Sequence, residues 1–516
     1  MANDAASPER SSTEWRNEQA FAALTEDGQL RAWGSPAAGG LLNEEAAALT
    51  GVRQIYSTSS AFAALTETGK VVSWGHSSKG GQNSFADEDL RVGIRNISST
   101  KEAFAAIDLN GGVTTWGEAR LGGDSRDVAS ELREGVVDVY STDGSFAALK
   151  EDGRVIVWGD EFSGGKRGKS GIDIATNVKS IKATAGAFAA IRDDDTVVTW
   201  GYWNYGGVPE GQAIAALASG QVKDIYSNEF TFSALMKDGS VVCWGGQYSG
   251  GDIDPVEDEL KNIDKIVGDR NAFAAISKTG KVVSWGLSGS NYDEVVDQLE
   301  SGVIDIVASD QAFAAIKQDG SVVTWGSSQY GADSSEVADQ LSRGVVDITA
   351  TEAAFAARKK DGSVVTWGDP LTGANSSEVS QQLSSGVKEV YANKYAFTAL
   401  KEDGTVVSWG NPETGGDTKY ASGGELQNIV SLADVFTDDF IGSGFKTIEE
   451  SPLVLEGGLV TGVDRILLIF NKELNDTRPA ASRLKVLVDN KRIKVASFEV
   501  DNDDQRFILF LERTGN

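Results

Sequence analysis

The stretch Ala396-Phe397-Thr398-Ala399-Leu400-Lys401-Glu402-Asp403-Gly404-Thr405-Val406-Val407-Ser408-Trp409-Gly410 decides the fold, because near-copies of it recur ten times. Each copy closes on a Trp-Gly pair, at Trp33, Trp74, Trp116, Trp158, Trp200, Trp244, Trp285, Trp325, Trp367 and Trp409. The successive spacings are 41, 42, 42, 42, 44, 41, 40, 42 and 42 residues. A fixed period in this range is the mark of a propeller, solenoid or array.

Inside one period the local signals agree. Phe355-Ala356-Ala357 and Val364-Val365-Thr366-Trp367 are short, apolar and rich in aromatic or β-branched residues, which suits strands. Asp361-Gly362 lies between them, a hairpin signal. A third strand, such as Val387-Lys388-Glu389-Val390-Tyr391, precedes each Phe-Ala-Ala run. Small alanines around each Phe fit a place where neighbouring sheets pack closely, and the ten tryptophans read as core fillers. The spacer at 335–344 has a polar start, an i,i+4 apolar pair (Val337, Leu341) and a closing Gly344. It predicts a turn or two of helix, as do 127–135, 293–302 and 378–386.

The string Gly386-Val387…Val390…Ala396-Phe397-Thr398-Ala399-Leu400…Asp403-Gly404-Thr405-Val406-Val407-Ser408-Trp409-Gly410 resembles the repeat of a known superfamily. Its members include the regulator of chromosome condensation and β-lactamase-inhibitor protein II. The resemblance spans about residues 14–435 and implies an all-β fold, a β-propeller of about ten three-stranded blades joined by short helices. Phe-Ala stands where the superfamily commonly has His-Ser, and Gly122-Gly123-Asp124 and Gly415-Gly416-Asp417 stand where it has Gly-Gln. Its familiar members have seven blades, so ten units leave ring and open superhelix both possible. Residues 11–16 lack a first strand for unit one, whereas Asn428-Ile429-Val430-Ser431-Leu432 is spare after unit ten. A C-terminal strand completing the first blade would remove the open sheet edges.

The 516 residues hold 76 acidic and 47 basic side chains, a formal net charge of −29. Such a surface repels phosphate backbones, which argues against nucleic-acid partners. Cys243 is the only cysteine, so there is no disulfide framework, and its place in a Val-Val-x-Trp strand reads as a buried thiol. Residues 1–13 form a polar tail without the apolar core of a signal peptide. No apolar run is long enough for a membrane span, so no membrane insertion is expected.

After 436–452, which read as a linker, residues 453–516 carry four strand-like runs suggesting a partial Ig-like β-sandwich. Phe470-Asn471-Lys472-Glu473-Leu474, Pro479-Ala480-Ala481-Ser482 and Val486-Leu487-Val488-Asp489 resemble the SwmB-type repeat domain of a cyanobacterial cell-surface protein. The counterpart of that domain's last strands does not precede Asn516, which suggests a domain cut short and a longer parent protein.

Chemistry is sparse. His76 is the only histidine, which removes a His-based zinc site, and it reads as one polar loop residue among many. Ser163-Gly164-Gly165-Lys166-Arg167-Gly168-Lys169-Ser170 lacks the first glycine of a P-loop and the strand–helix context it needs. Asp124, Asp252 and Asp417 read as helix-capping carboxylates rather than a calcium set, which needs six to eight oxygens. No metal, cofactor or catalytic residue is expected. Phe162, Tyr202, Trp203, Tyr205, Tyr248 and Tyr330 fall within two to five residues of their unit's Trp, in loops that share one rim of a propeller. Exposed aromatics are enriched in recognition sites, with Trp203 and Tyr205 foremost here.

The sequence thus predicts a non-enzymatic binding or adhesion protein, extracellular or at the cell surface, with an unidentified protein or glycan as partner. The alternative is a cytoplasmic or exported inhibitor that docks one rim on a single protein.

Overall fold

The computed structural model describes residues 16–433 apart from 84–85, 87–88, 166–176 and 288–291, and the backbone of six strands between 455 and 511. The N-terminal tail, the linker and the Lys166–Ser170 part of the P-loop-like string lie outside the described residues.

Ten three-stranded antiparallel sheets follow one another through the repeats. In blade 10 they are an inner strand Val387–Ala392, a middle strand Ala396–Lys401 and an outer strand Val406–Gly410. The inner strands of successive blades touch, and Arg53 donates across to the Arg95 carbonyl at 2.8 Å. The register sets each repeat Phe opposite its Trp, as in Phe397 with Trp409 and Phe146 with Trp158. All ten pairs stack with centroids 5.1–5.5 Å apart.

The middle strand is buried on both faces, which explains its unbroken apolar run. Alternation puts Ala103, Ala105 and Ile107 of blade 3 against Phe146 and Trp158 of blade 4. Phe104 and Ala106 point the other way, into the core shared with blade 2. Each core therefore lies between blades, and small alanines on one side make room for a Phe–Trp stack on the other. The tryptophans are 0–4% exposed, as core fillers should be.

A glycine latch repeats between blades. After nine of the ten Trp-Gly pairs a short 3₁₀ turn ends on a glycine with positive φ, such as Gly373 at +117°; the loop after Trp285 lies partly outside the described residues. That glycine lies on the Phe of the next blade, where an added Cβ would sit 2.5 Å from Phe397 Cδ2. Its carbonyl accepts from the next Trp in seven blades, as Gly373 does from Trp409 Nε1 at 2.9 Å, whereas Trp33 and Trp200 Nε1 have no partner and Trp325 Nε1 donates to Ser284 Oγ.

The same devices close the ring. Ile429–Leu432 pairs antiparallel with Ala20–Thr25 and completes blade 1. Gly415, from the tenth loop, lies against Phe21 and Trp33 of blade 1. Ala32 and Ser422 exchange backbone hydrogen bonds at 3.2 and 2.7 Å. The chain is a closed ten-bladed β-propeller, so the open superhelix is set aside.

The spacers are shorter than full helices. Arg126–Val128 and Val296–Gln298 are single 3₁₀ turns, while Ser335–Val337 leads into a four-residue α-turn, Ala338–Leu341. Their anchors are leucines (Leu132, Leu299, Leu341, Leu383) buried in the inter-blade cores. Beyond 444 lies a second compact unit, Phe445–Asn516. Its strands Leu455–Gly462, Arg465–Phe470, Arg506–Leu511 and Val495–Val500 form one antiparallel sheet in that order, and Val486–Val488 pairs with Lys491–Ile493.

Candidate functional site: the loop face

The turn from inner to middle strand is built alike in every blade. Asn17, Thr58, Thr100, Thr142, Thr184, Asn228, Asp269, Ser309, Thr351 and Asn393 are all buried just before it. Thr142 Oγ1 accepts from Ser145 N at 3.0 Å and donates to the Ser163 carbonyl at 2.9 Å. Asn228 likewise accepts from Thr231 N and donates to the Ser249 carbonyl. In eight of the ten positions the side chain also donates to a carbonyl of the loop that follows the Trp-Gly pair, Asp269 and Thr351 being the exceptions, and this places both on one face.

The next residue in each turn belongs to a circle of neighbouring turns, which backbone hydrogen bonds join in two arcs, from Glu18 to Glu229 and from Arg270 to Lys394. Glu18 N–H donates to the Ser59 carbonyl, Ser59 to Lys101, Lys101 to Asp143, Asp143 to Ala185 and Ala185 to Glu229. Arg270 donates to Asp310, Asp310 to Glu352 and Glu352 to Lys394. Arg270 also pairs with Glu229 through side chains at 2.7 Å, bridging blades 6 and 7. The mouth is thus ringed by five acids (Glu18, Asp143, Glu229, Asp310, Glu352) and three bases (Lys101, Arg270, Lys394). Burial raises Asp143 to about 7, with Lys101 lowering it and Glu229 raising it. Asp310 is raised to about 6 by burial and by Glu352, against Arg16, Arg270 and Lys394.

Outside this circle, four of the six predicted aromatics meet. Phe162 and Tyr202 are edge to face at 6.2 Å, and Tyr202 lies 6.0 Å from both Trp203 and Tyr205. Tyr205 continues to Phe230 at 5.1 Å, so one strip crosses blades 4, 5 and 6. Phe162 and Trp203 are each 61% exposed, whereas Tyr202, Tyr205 and Phe230 are partly buried. Burial, followed by the Glu229 and Asp143 carboxylates, pushes the Tyr205 hydroxyl upward. The strip therefore adjoins the acidic mouth.

Tyr248, 79% exposed, lies one loop further round. Tyr330 stands apart between blades 8 and 9, where it lines a depression of about 550 Å3 with Glu352 and Asp369. Phe230 was not among the predicted residues. Its signal was present, an aromatic two places before Phe232 in a unit whose neighbouring loop carries three others.

The remaining sequence candidates are quiet. Exposed His76 bonds Ser78 at 3.2 Å. Cys243 is buried, donates to Ser233 Oγ at 3.3 Å, and has its thiol pushed up to about 12 by burial. Asp124, Asp252 and Asp417 accept backbone amides two residues on, a local turn rather than the helix cap expected of them: the position that precedes Arg126–Val128 is Ser125. Among the described residues no group of three or more His, Cys, Asp or Glu is disposed to hold a metal, and no helix is long and apolar enough to cross a membrane.

No protein-family model matches the chain, and no curated protein matches it. Among solved structures it is similar to Prp20p from Saccharomyces cerevisiae, at 16% identity over 62% of this chain and 83% of that one, with a TM-score of 0.31. Yeast RCC1 (Prp20) in its Kap60 complex gives 17% identity over 80% and 85%, TM-score 0.29. The Swd1 β-propeller domain of Myceliophteria thermophila gives 11% over 54% and 97%, TM-score 0.23. The propeller assignment rests on the sheets and their closure, and these likenesses carry nothing about function.

Proposed function

We propose that this chain is a non-enzymatic binding protein that uses the loop face of its propeller as a recognition surface, outside the cell or at the cell surface. One observation carries the reading: an aromatic strip crosses three blades, with Phe162 and Trp203 each 61% exposed. Soluble surfaces seldom leave such side chains in water without a partner, and large aromatics dominate interface energetics. The propeller supplies rigidity, because most of the loops are held by a buried side-chain bond from the inner turn and by a glycine seated on the next blade's Phe. The SwmB-like sequence of 453–516, read as part of an Ig-like sandwich, supports the surface location, and the repeat pattern itself supports kinship with the chromosome-condensation and inhibitor superfamily.

The test is fractionation of the native host with an antibody to residues 14–435, combined with cross-linking of wild type and Trp203→Ala. Signal in the medium or on the outer surface, with cross-links lost in Trp203→Ala, is expected. A purely cytoplasmic pool would overturn the location. Cross-links unchanged in Trp203→Ala would overturn the assigned face.

A further inference from the structure

We infer that the strip of Phe162, Tyr202, Trp203, Tyr205 and Phe230, with Asp143 and Glu229 at its inner edge, receives an arginine- or lysine-bearing segment of a partner protein. This rests on the loop face being the recognition surface and adds the chemistry of what it recognises.

Three observations converge on a cation. First, the strip offers ring faces at a solvent-exposed step, and a guanidinium stacks well on such faces. Second, the Asp143 and Glu229 turns are hydrogen-bonded to Ala185 on either side, and the Tyr205 ring packs on Gly186 next to it, so acid and π-face are parts of one surface. Asp143 keeps its charge poorly at neutral pH for want of compensation, since burial and Glu229 together outweigh Lys101. An incoming cation would supply what is short. Third, the chain carries a formal charge of −29, which steers cationic partners toward it and polyanions away. Neutral sugar hydroxyls could hydrogen-bond the same carboxylates, but they would leave the uncompensated charge in place.

The charges elsewhere on the mouth locate the shortage. Arg16 reaches the Ala350 carbonyl at 3.0 Å, and Lys394 pairs with Glu352 at 3.8 Å, so Asp310 and Glu352 have cations beside them. Along blades 4–6, Lys101 of blade 3 is the cation that acts on Asp143, Arg270 of blade 7 is committed to Glu229, and Ala185 contributes no charge between the two acids.

The test is fluorescence anisotropy of the full chain with labelled octa-arginine, octa-lysine and octa-glutamate, and competition by a neutral β-linked oligosaccharide. Octa-arginine is expected to bind more tightly than octa-lysine and octa-glutamate not at all, with affinity falling as salt rises. Trp203→Ala and Glu229→Gln should each weaken octa-arginine binding about tenfold, the equivalent of about 1.4 kcal/mol. Tyr248→Ala, outside the strip, should change it less than twofold. Trp203→Ala alters no charge, so its effect separates the strip from bulk attraction. Equal octa-arginine affinity in wild type and Trp203→Ala, or displacement of the peptide by the oligosaccharide, would overturn the inference. If Trp203→Ala still loses its native cross-links in that case, the recognition face stands and only its cationic chemistry falls.

Discussion

Gly415→Ala tests the closing latch by its cost. Gly415 sits at φ +107°, where an L-residue is strained, at about 1–2 kcal/mol. Its new Cβ would lie 2.6 Å from Phe21 Cδ2 and 3.0 Å from Cε2. Phe21 is 1% exposed and stacked on Trp33, so it has nowhere to move, and overpacking of this kind costs a further ~1–3 kcal/mol. The total is about 2–5 kcal/mol. Two comparisons isolate the terms. Gly373→Ala, an interior latch with Phe397 Cδ2 at 2.5 Å, should cost the same. Gly51→Ala has φ +65° and nothing within 4 Å of the added Cβ, so it should cost only about 1 kcal/mol. Urea unfolding followed by tryptophan fluorescence gives the three midpoints. A Gly415→Ala midpoint matching Gly51→Ala, rather than Gly373→Ala, would refute the contact between the tenth loop and the first blade.

Other perturbations probe the remaining links. Thr142→Val keeps the side chain's shape but leaves the Ser145 amide and Ser163 carbonyl without their partner, and should lower stability by about 2–3 kcal/mol in the same assay. Trp200→Ala should cost about 3–5 kcal/mol because the ring is 3% exposed in an inter-blade core. Trp203→Ala, three residues on and exposed, should stay within about 0.5 kcal/mol of wild type. Burial pushes Asp143 up to about 7 from the usual carboxylate range, so between the two the folded state holds a proton that the unfolded chain has released. Its contribution to stability is therefore present in acid and lost as pH rises through about 7. Asp143→Asn should stabilise the fold by about 1–2 kcal/mol at pH 8, after allowance for solvent screening, and by nothing near pH 4, as thermal melts at the two pH values would show.

Much of the architecture was legible because periodic burial leaves periodic sequence. The Phe and Trp of each unit face each other across the hairpin, whose turn is Asp-Gly in six of the ten units. The spare strand at 429–432 announced closure because unit one had none of its own. The two arcs of hydrogen bonds, from Glu18 to Glu229 and from Arg270 to Lys394, left no such trace, since backbone amides impose no residue type. The buried Thr and Asn positions did recur in every unit, yet their role depends on a carbonyl about 21 residues away. The aromatic candidates divided for a geometric reason. Phe162 and Tyr202 are 40 residues apart in sequence but occupy adjacent loops of the ring, whereas Tyr330 belongs to blade 8 and meets none of the strip. Sequence could place each aromatic on the face, but only the order of blades around the axis could say which ones touch.

Closure is the claim on which the continuous loop face depends, and one bond tests it directly. Ala32 and Ser422 are 390 residues apart in sequence, yet they form a hydrogen-bonded antiparallel pair. Such pairs have Cα atoms about 5.5 Å apart, within the range a disulfide spans. In a Cys243→Ser background, Ala32→Cys with Ser422→Cys should oxidise to one intramolecular disulfide, seen as faster migration on a non-reducing gel and a 32–422 linked peptide by mass spectrometry. Two thiols that stay free, or that link only between molecules, would mean the ten blades do not close.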